Sequence, residues 1–134
     1  SMCSALDDAQ LTPTDIDYIN PHATSTPVGD LSELKAMQRL LGDHLGQVQI
    51  SATKSMTGHL LGAAGAIEAL IAVLATCQNL IPPTINTEQL DPAVPTALNL
   101  TLGTKVQRTV NVAMSNSFGF GGHNSTVIFQ KLKQ

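Results

Sequence analysis

The sequence contains no tryptophan, and only 3% of its 134 residues are aromatic and 13% charged. A nucleic-acid surface needs clustered lysine and arginine with rings that stack on bases, so that class of function has little support. The formal net charge of -3 comes without a basic cluster, which leaves neutral or thioester-like partners as the expectation. Cysteine is scarce as well. Cys3 and Cys77 stand far apart, which argues against a disulfide framework or a zinc cluster and for a reducing, cytoplasmic setting. Each reads as a small core residue on a helix. No basic segment followed by an apolar run opens the chain, so no signal peptide is read there, and residues 2–9 look like a helix already under way in a chain truncated at its front. Apolar residues, at 43%, suffice for the core of one compact domain or of part of a larger one.

Hydrophobic spacing and turn signals order the rest. Leu11-Thr12-Pro13-Thr14-Asp15 reads as a turn, and residues 16–20 as a short alternating strand. Asp30-Leu31-Ser32-Glu33 has the form of a capping box opening a helix, with Leu31, Leu34, Met37 or Gln38, and Leu41 on one side and Gly42 closing it. Residues 48–52 form the next strand, and a polar loop from Lys54 to His59 leads into a helix over 60–77 that is apolar nearly all round. About 18 apolar residues meet the minimum for a bilayer span, yet Glu68 sits near the middle and a dense polar loop flanks one end. The centre of a large soluble protein is the preferred place for such a helix, and no membrane partner is expected. Residues 81–86 are extended, the segment to Arg108 is mostly loop with an apolar run at 97–100, and the chain ends in a hairpin. Residues 110–116 and 125–129 alternate as strands around the Gly119-Phe120-Gly121-Gly122 turn.

Two histidines stand apart from the other two. His22 and His59 each follow a strand and sit among hydroxyl residues and glycine, side chains that leave room for a substrate and offer it hydrogen bonds. Ligands bind beyond strand ends in layered α/β folds. Imidazole and ammonium groups gathered there can donate to a developing oxyanion, so His22, His59 and Lys54 point to chemistry on a carbonyl. His44 and His123 read as surface or structural residues. Nothing matches a metal-ligand set. Glu68, the only charge on its helix, calls for a partner if it is buried, and Lys54 is the candidate; the alternative is that Glu68 reaches a polar rim. Paired in that way, Lys54 would help fix the proton arrangement of His59. The glycine-rich turn is too short for a dinucleotide fingerprint and lacks a helix behind it. Its flanking glycines would instead expose the Phe120 N–H to a ligand while the ring gates access, unless it is simply a hairpin turn.

Three motifs taken together resemble the β-ketoacyl-acyl-carrier-protein synthases of fatty acid synthesis: His22-Ala23-Thr24-Ser25-Thr26-Pro27 with Gly29-Asp30; Lys54-Ser55-Met56-Thr57-Gly58-His59 running to Gly65; and Asn116-Ser117-Phe118-Gly119-Phe120-Gly121-Gly122. The resemblance covers residues 1–134 as the C-terminal half of the thiolase-like fold, and the wording is closer to the elongating, single-function type II enzymes than to modular polyketide synthases. It implies an α/β class, a layered αβα half-domain with a mixed sheet and a central buried helix. It also implies a decarboxylative condensation of malonyl carrier protein with an acyl thioester. In that chemistry His22 and His59 would hold the malonyl thioester carbonyl, Lys54 with Glu68 would support His59, and Thr24 and Thr26 would contact the phosphopantetheine arm. The Phe120 N–H would share the oxyanion hole of the acyl-enzyme and its ring would gate the acyl pocket.

The family's nucleophilic cysteine belongs to the N-terminal half, which these residues do not include, and neither Cys3 nor Cys77 has a nucleophile-elbow setting. Pro21, Ala23 and His123 replace the family's usual Ala, Gly and Thr. The resemblance implies no cofactor beyond the pantetheine carried in on the acyl carrier protein. That carrier protein, the N-terminal half and a second copy in a homodimer are the implied partners. Two other readings stand beside the enzyme: a non-catalytic acyl or carrier-protein binding module, and a polyketide chain-length partner subunit. A half-domain on its own would expose one apolar face of the 60–77 helix.

Overall fold

The computed structural model describes residues 1–132. Its helices are α1 (Met2–Ala9), α2 (Gly29–Leu41), the single turn α3 (Lys54–Thr57) and α4 (Ala64–Gln78). Its strands are β1 (Tyr18–Asn20), β2 (Gln49–Ile50), β3 (Leu80–Ile81), β4 (Asn99–Leu100), β5 (Val106–Gln107), β6 (Val112–Gly119) and β7 (His123–Gln130). Five strands form one mixed sheet in the order β4-β2-β1-β6-β7, parallel from β4 to β6 and closed by the antiparallel β6–β7 hairpin. β3 and β5 make a separate antiparallel pair.

Period-two alternation sorts the core into two layers. Ile19 and Met114 are register partners, and so are Tyr18 and Ala113, but successive residues of a strand face opposite sides. Ile19 and Met114 therefore join Leu6, Met37, Leu41 and Ile50 beneath α1 and α2, while Tyr18 and Ala113 join Ala72, Ala75 and Ile81 beneath α4. The result is the expected αβα layering. Truncating Met114, which is fully buried, should cost about 2–5 kcal/mol.

α4 meets the sheet through small residues. Glu68, Ala72, Ala75 and Thr76 fall on one face at helical spacing and are buried, whereas Leu70 and Leu74 on the other side are 53% and 43% exposed. At its start, a Cβ on Gly65 would lie 3.3 Å from the Ser117 hydroxyl, so glycine permits the close approach of α4 to β6. Residues 61–78 are long and apolar enough to cross a membrane by composition, with a mean hydropathy of 1.6, but here one face lies on the sheet.

Several local expectations are corrected. α4 starts at Ala64 rather than Leu60, because Leu61 takes a φ of 51° and residues 61–63 form a tighter turn first. The Lys54 to His59 loop contains the helical turn α3. The long connection before Arg108 carries three short strands, one of which, β4, extends the sheet. α2 begins at Gly29 with Val28 as its cap, so Asp30 and Glu33 form no capping box; Asp30 accepts the Thr26 N–H, and Glu33 is turned inward. Cys3 and Cys77 are exposed, since each sits on the outer face of its helix, and neither is a core residue.

Candidate active site

Asn20 ends β1 and fixes where both loops begin. Its side chain is fully buried and exchanges hydrogen bonds with Thr53, donating from Nδ2 to Oγ1 at 2.9 Å and accepting from the same hydroxyl at 3.1 Å. Asn20, two residues before His22, and Thr53, the residue before Lys54, are thus tied to one another across the sheet end. Beyond Pro21 the backbone turns sharply, with Ala23 at φ 31° and Ser25 at φ 63°. Glu33 of α2 holds that turn. Its Oε1 accepts the His22 N–H at 2.9 Å and its Oε2 the Ala23 N–H at 3.0 Å, while Asn116 of β6 donates to Oε1 at 3.0 Å. Burial pushes the Glu33 carboxyl above its usual range, and these donors pull it back.

The second loop presents its imidazole by a different device. After α3, Gly58 takes a φ of 71° and the chain reverses so that the Leu61 N–H donates to His59 Nδ1 at 3.2 Å. A neutral ring that accepts at Nδ1 carries its proton on Nε2, so His59 is set as a donor through that atom. The Leu61 N–H acts on the ring directly, while Lys54 shares a smaller cleft with His59. Lys54 is paired with Glu68 below, both nearly enclosed, and Glu68 does not reach a polar rim. Burial raises the Glu68 carboxyl and the Lys54 partner opposes that rise.

The two imidazoles meet edge to face with ring centroids 5.6 Å apart. Phe118 of β6 packs on His22 at 5.4 Å, shielding one side of it. Burial, then the Lys54 ammonium, then His59 depress the His22 pKa, and Asp30 opposes them, so His22 is held neutral. Its Nδ1 is enclosed without a hydrogen-bond partner. Both rings line a cleft of about 1050 Å³ together with Thr24, Thr26, Ser117, Phe118 and Phe120. Thr24 and Thr26 line the same cleft as the two imidazoles. Phe120 stands at the hairpin tip, fully exposed, where Gly121 and Gly122 take φ of 83° and 82°. Lys54 is outside this cleft and lines a smaller one of about 320 Å³ that also reaches His59 and Thr24. A cavity of about 410 Å³ behind the His22 loop contains neither imidazole.

His123 also borders the large cleft, at the start of β7, whereas His44 accepts a structural place with Nε2 3.3 Å from the Ile16 carbonyl oxygen. No cysteine lines the cleft, and no group of three or more His, Cys, Asp or Glu side chains could hold a metal ion among the described residues. Sequence reasoning missed Glu33, Asn116, Phe118 and the Leu61 N–H. For Glu33 a signal existed: it falls at the same helical spacing as Met37 and Leu41, on the face that α2 buries. Chemically, two imidazoles at this separation, one with its proton fixed on Nε2, can serve a single small acceptor between them.

Comparisons with known proteins agree with this geometry. Residues 1–88 match the family model of the β-ketoacyl synthase C-terminal domain. The chain is 49% identical over 127 residues to a Synechocystis 3-oxoacyl-[acyl-carrier-protein] synthase 2, covering 95% of the chain and 30% of that protein. A solved β-ketoacyl synthase from Burkholderia phymatum superposes with a TM-score of 0.91 at 39% identity, over 98% of this chain and 31% of that one. A type II polyketide ketosynthase solved in complex with its acyl-carrier protein gives 0.93 at 32% identity, over 98% and 32%. The chain spans about a third of the length of these relatives. With thiolase-like layering, the paired imidazole loops and a match to the C-terminal domain over residues 1–88, the chain belongs to the β-ketoacyl synthase family.

Proposed function

We propose that this chain is the decarboxylating half of a cytoplasmic β-ketoacyl-acyl-carrier-protein synthase that elongates fatty acyl chains. The observation that carries the reading is the pair of imidazoles edge to face in one cleft, with the Leu61 N–H donating to His59 Nδ1 and leaving Nε2 to face the cleft as a donor. A malonyl thioester bound there places its carbonyl oxygen between His22 and His59. The bond from Cα to the carboxylate breaks and leaves its electron pair on Cα, delocalised onto the thioester oxygen, where the two N–H groups stabilise the enolate. Carbon dioxide departs. The carbanion then forms a bond to the carbonyl carbon of an acyl thioester and expels its thiolate, lengthening the chain by two carbons.

Thr24 and Thr26 line the approach and hydrogen-bond the pantetheine arm delivered by an acyl carrier protein; no other cofactor is needed. The Phe120 N–H serves the oxyanion of the acyl thioester and its ring gates the acyl pocket. Cys3 and Cys77 lie away from the cleft, so the acyl group is carried by a cysteine of an N-terminal half that docks on α4, and two full-length copies form a homodimer. The threonine loop that lines the cleft also suits a second reading, a non-catalytic carrier-protein binder or chain-length partner. Release of carbon dioxide from malonyl carrier protein by this chain assembled with a nucleophile-bearing half separates the two. The enzyme reading requires turnover, and tight carrier binding without carbon dioxide would establish the binder instead.

A further inference from the structure

Three buried oxygens near the Lys54–Glu68 pair lack hydrogen-bond partners: Tyr18 Oη, Ser51 Oγ and Glu68 Oε2. Tyr18 and Ser51 are fully buried and Glu68 is 1% exposed, so bulk water serves none of them. They come from three elements, the first residue of β1, the residue after β2, and the sheet-facing side of α4. They are also electrostatic neighbours. Burial first pushes the Tyr18 hydroxyl well above its ordinary value; the Ser51 hydroxyl lies close enough to oppose that rise, and the Glu68 carboxylate adds to it. Buried polar groups in this state call for a partner, and an enclosed water, which makes two to four hydrogen bonds, can serve all three. Glu68 spends its other oxygen on Lys54. Whatever satisfies Oε2 therefore sets the carboxylate plane and, through it, where the ammonium sits.

Resting on the function proposed above, we infer that Tyr18 and Ser51 hold Glu68 through one enclosed water and act as positioning residues for Lys54 beneath the two imidazoles. Tyr18 Oη and Ser51 Oγ each supply one proton to the network, and the water donates to Glu68 Oε2. The packing of the Tyr18 ring is separate from this role, since Ala72, Ala75 and Ala113 surround it in the core below α4. Tyr18→Phe keeps the ring and removes the network.

Tyr18 is the only tyrosine and tryptophan is absent, so near-ultraviolet absorption and tyrosine emission of the 134-residue chain report on this one hydroxyl. Glu68→Gln and Ser51→Ala should each shift the Tyr18 absorption band and change its emission at neutral pH, with circular dichroism confirming a retained fold. An unchanged Tyr18 signal in both folded variants would overturn the network. In the full synthase, Tyr18→Phe and Ser51→Ala should each lower kcat for malonyl decarboxylation three- to tenfold, with KM unchanged and the pH profile displaced. The double variant should fall no further than the singles, because both act through one water. Multiplicative losses, or an unmoved pH profile, would overturn the positioning role. Absence of any decarboxylation in the unsubstituted synthase would overturn the proposed function and the positioning role together, while the optical experiment judges the network independently.

Discussion

Among single residues, groups that composition alone treats alike do distinct work. His22 is kept neutral by burial and then by the Lys54 ammonium, so replacing Lys54 with methionine should move the His22 titration midpoint up toward the ordinary imidazole value; proton NMR of the ring measures it. The sign carries over to stability. The folded-state value lies below the unfolded 6.5, so the unfolded chain takes up more protons as the pH drops. His22 therefore costs the folded protein stability progressively below about pH 6.5. Against a His22→Gln variant, denaturant titrations should show wild type losing relative stability between about pH 7.5 and 5.5. Glu33 is the residue whose loss should be felt most in the fold of the loop. In Glu33→Gln an amide NH2 replaces one of two acceptor oxygens facing the His22 and Ala23 N–H groups. The expected destabilisation is about 2–3 kcal/mol by chemical denaturation.

Elements show which parts of this architecture were legible in the sequence and which were not. The hairpin of β6 and β7 was readable because its alternation is strong and glycines mark its tip, and the two imidazole loops were readable because hydroxyl-rich segments follow short strands. The direction of Glu33 was hidden by a local competitor: Asp30 and Glu33 satisfy the spacing of a capping box, and only the return of β6 beside β1 shows that Glu33 faces Asn116. The start of α4 was hidden by composition, since residues 60–63 are as apolar as the helix yet leave it through the positive φ of Leu61. That departure delivers the Leu61 N–H to His59. Cys77 misled for a related reason, because a helix apolar all round does not announce which side meets the sheet. Ala23 supplies a prediction at this scale. It holds a φ of 31°, a conformation that costs an L-residue about 1–2 kcal/mol and glycine little. After the extra freedom that glycine gives the unfolded chain, Ala23→Gly should stabilise by up to about 1 kcal/mol in thermal or denaturant unfolding. A marked loss of stability would show that the turn is not strained.

For the whole molecule, the decisive property is that one side of the fold is finished and the other is not. The face under α1 and α2 closes over Met37, Ile50 and Met114, while α4 leaves Leu70 and Leu74 open to solvent among the described residues. Such a face is where the proposed N-terminal half would dock. Sedimentation of the 134-residue chain should show self-association that Leu70→Gln with Leu74→Gln relieves, and a nucleophile-bearing half should compete for the same face. A well-folded monomer at high concentration would count against docking there. The central claim, that His22 and His59 converge on one thioester oxygen, is tested most directly by isotope-edited infrared spectroscopy of an acetyl-pantetheine thioester labelled with carbon-13 at the carbonyl, bound to the full synthase. The carbonyl band should fall on binding, be partly restored by His22→Ala or by His59→Ala, and return to its solution position when both are replaced. A bound band that neither substitution moves would contradict it.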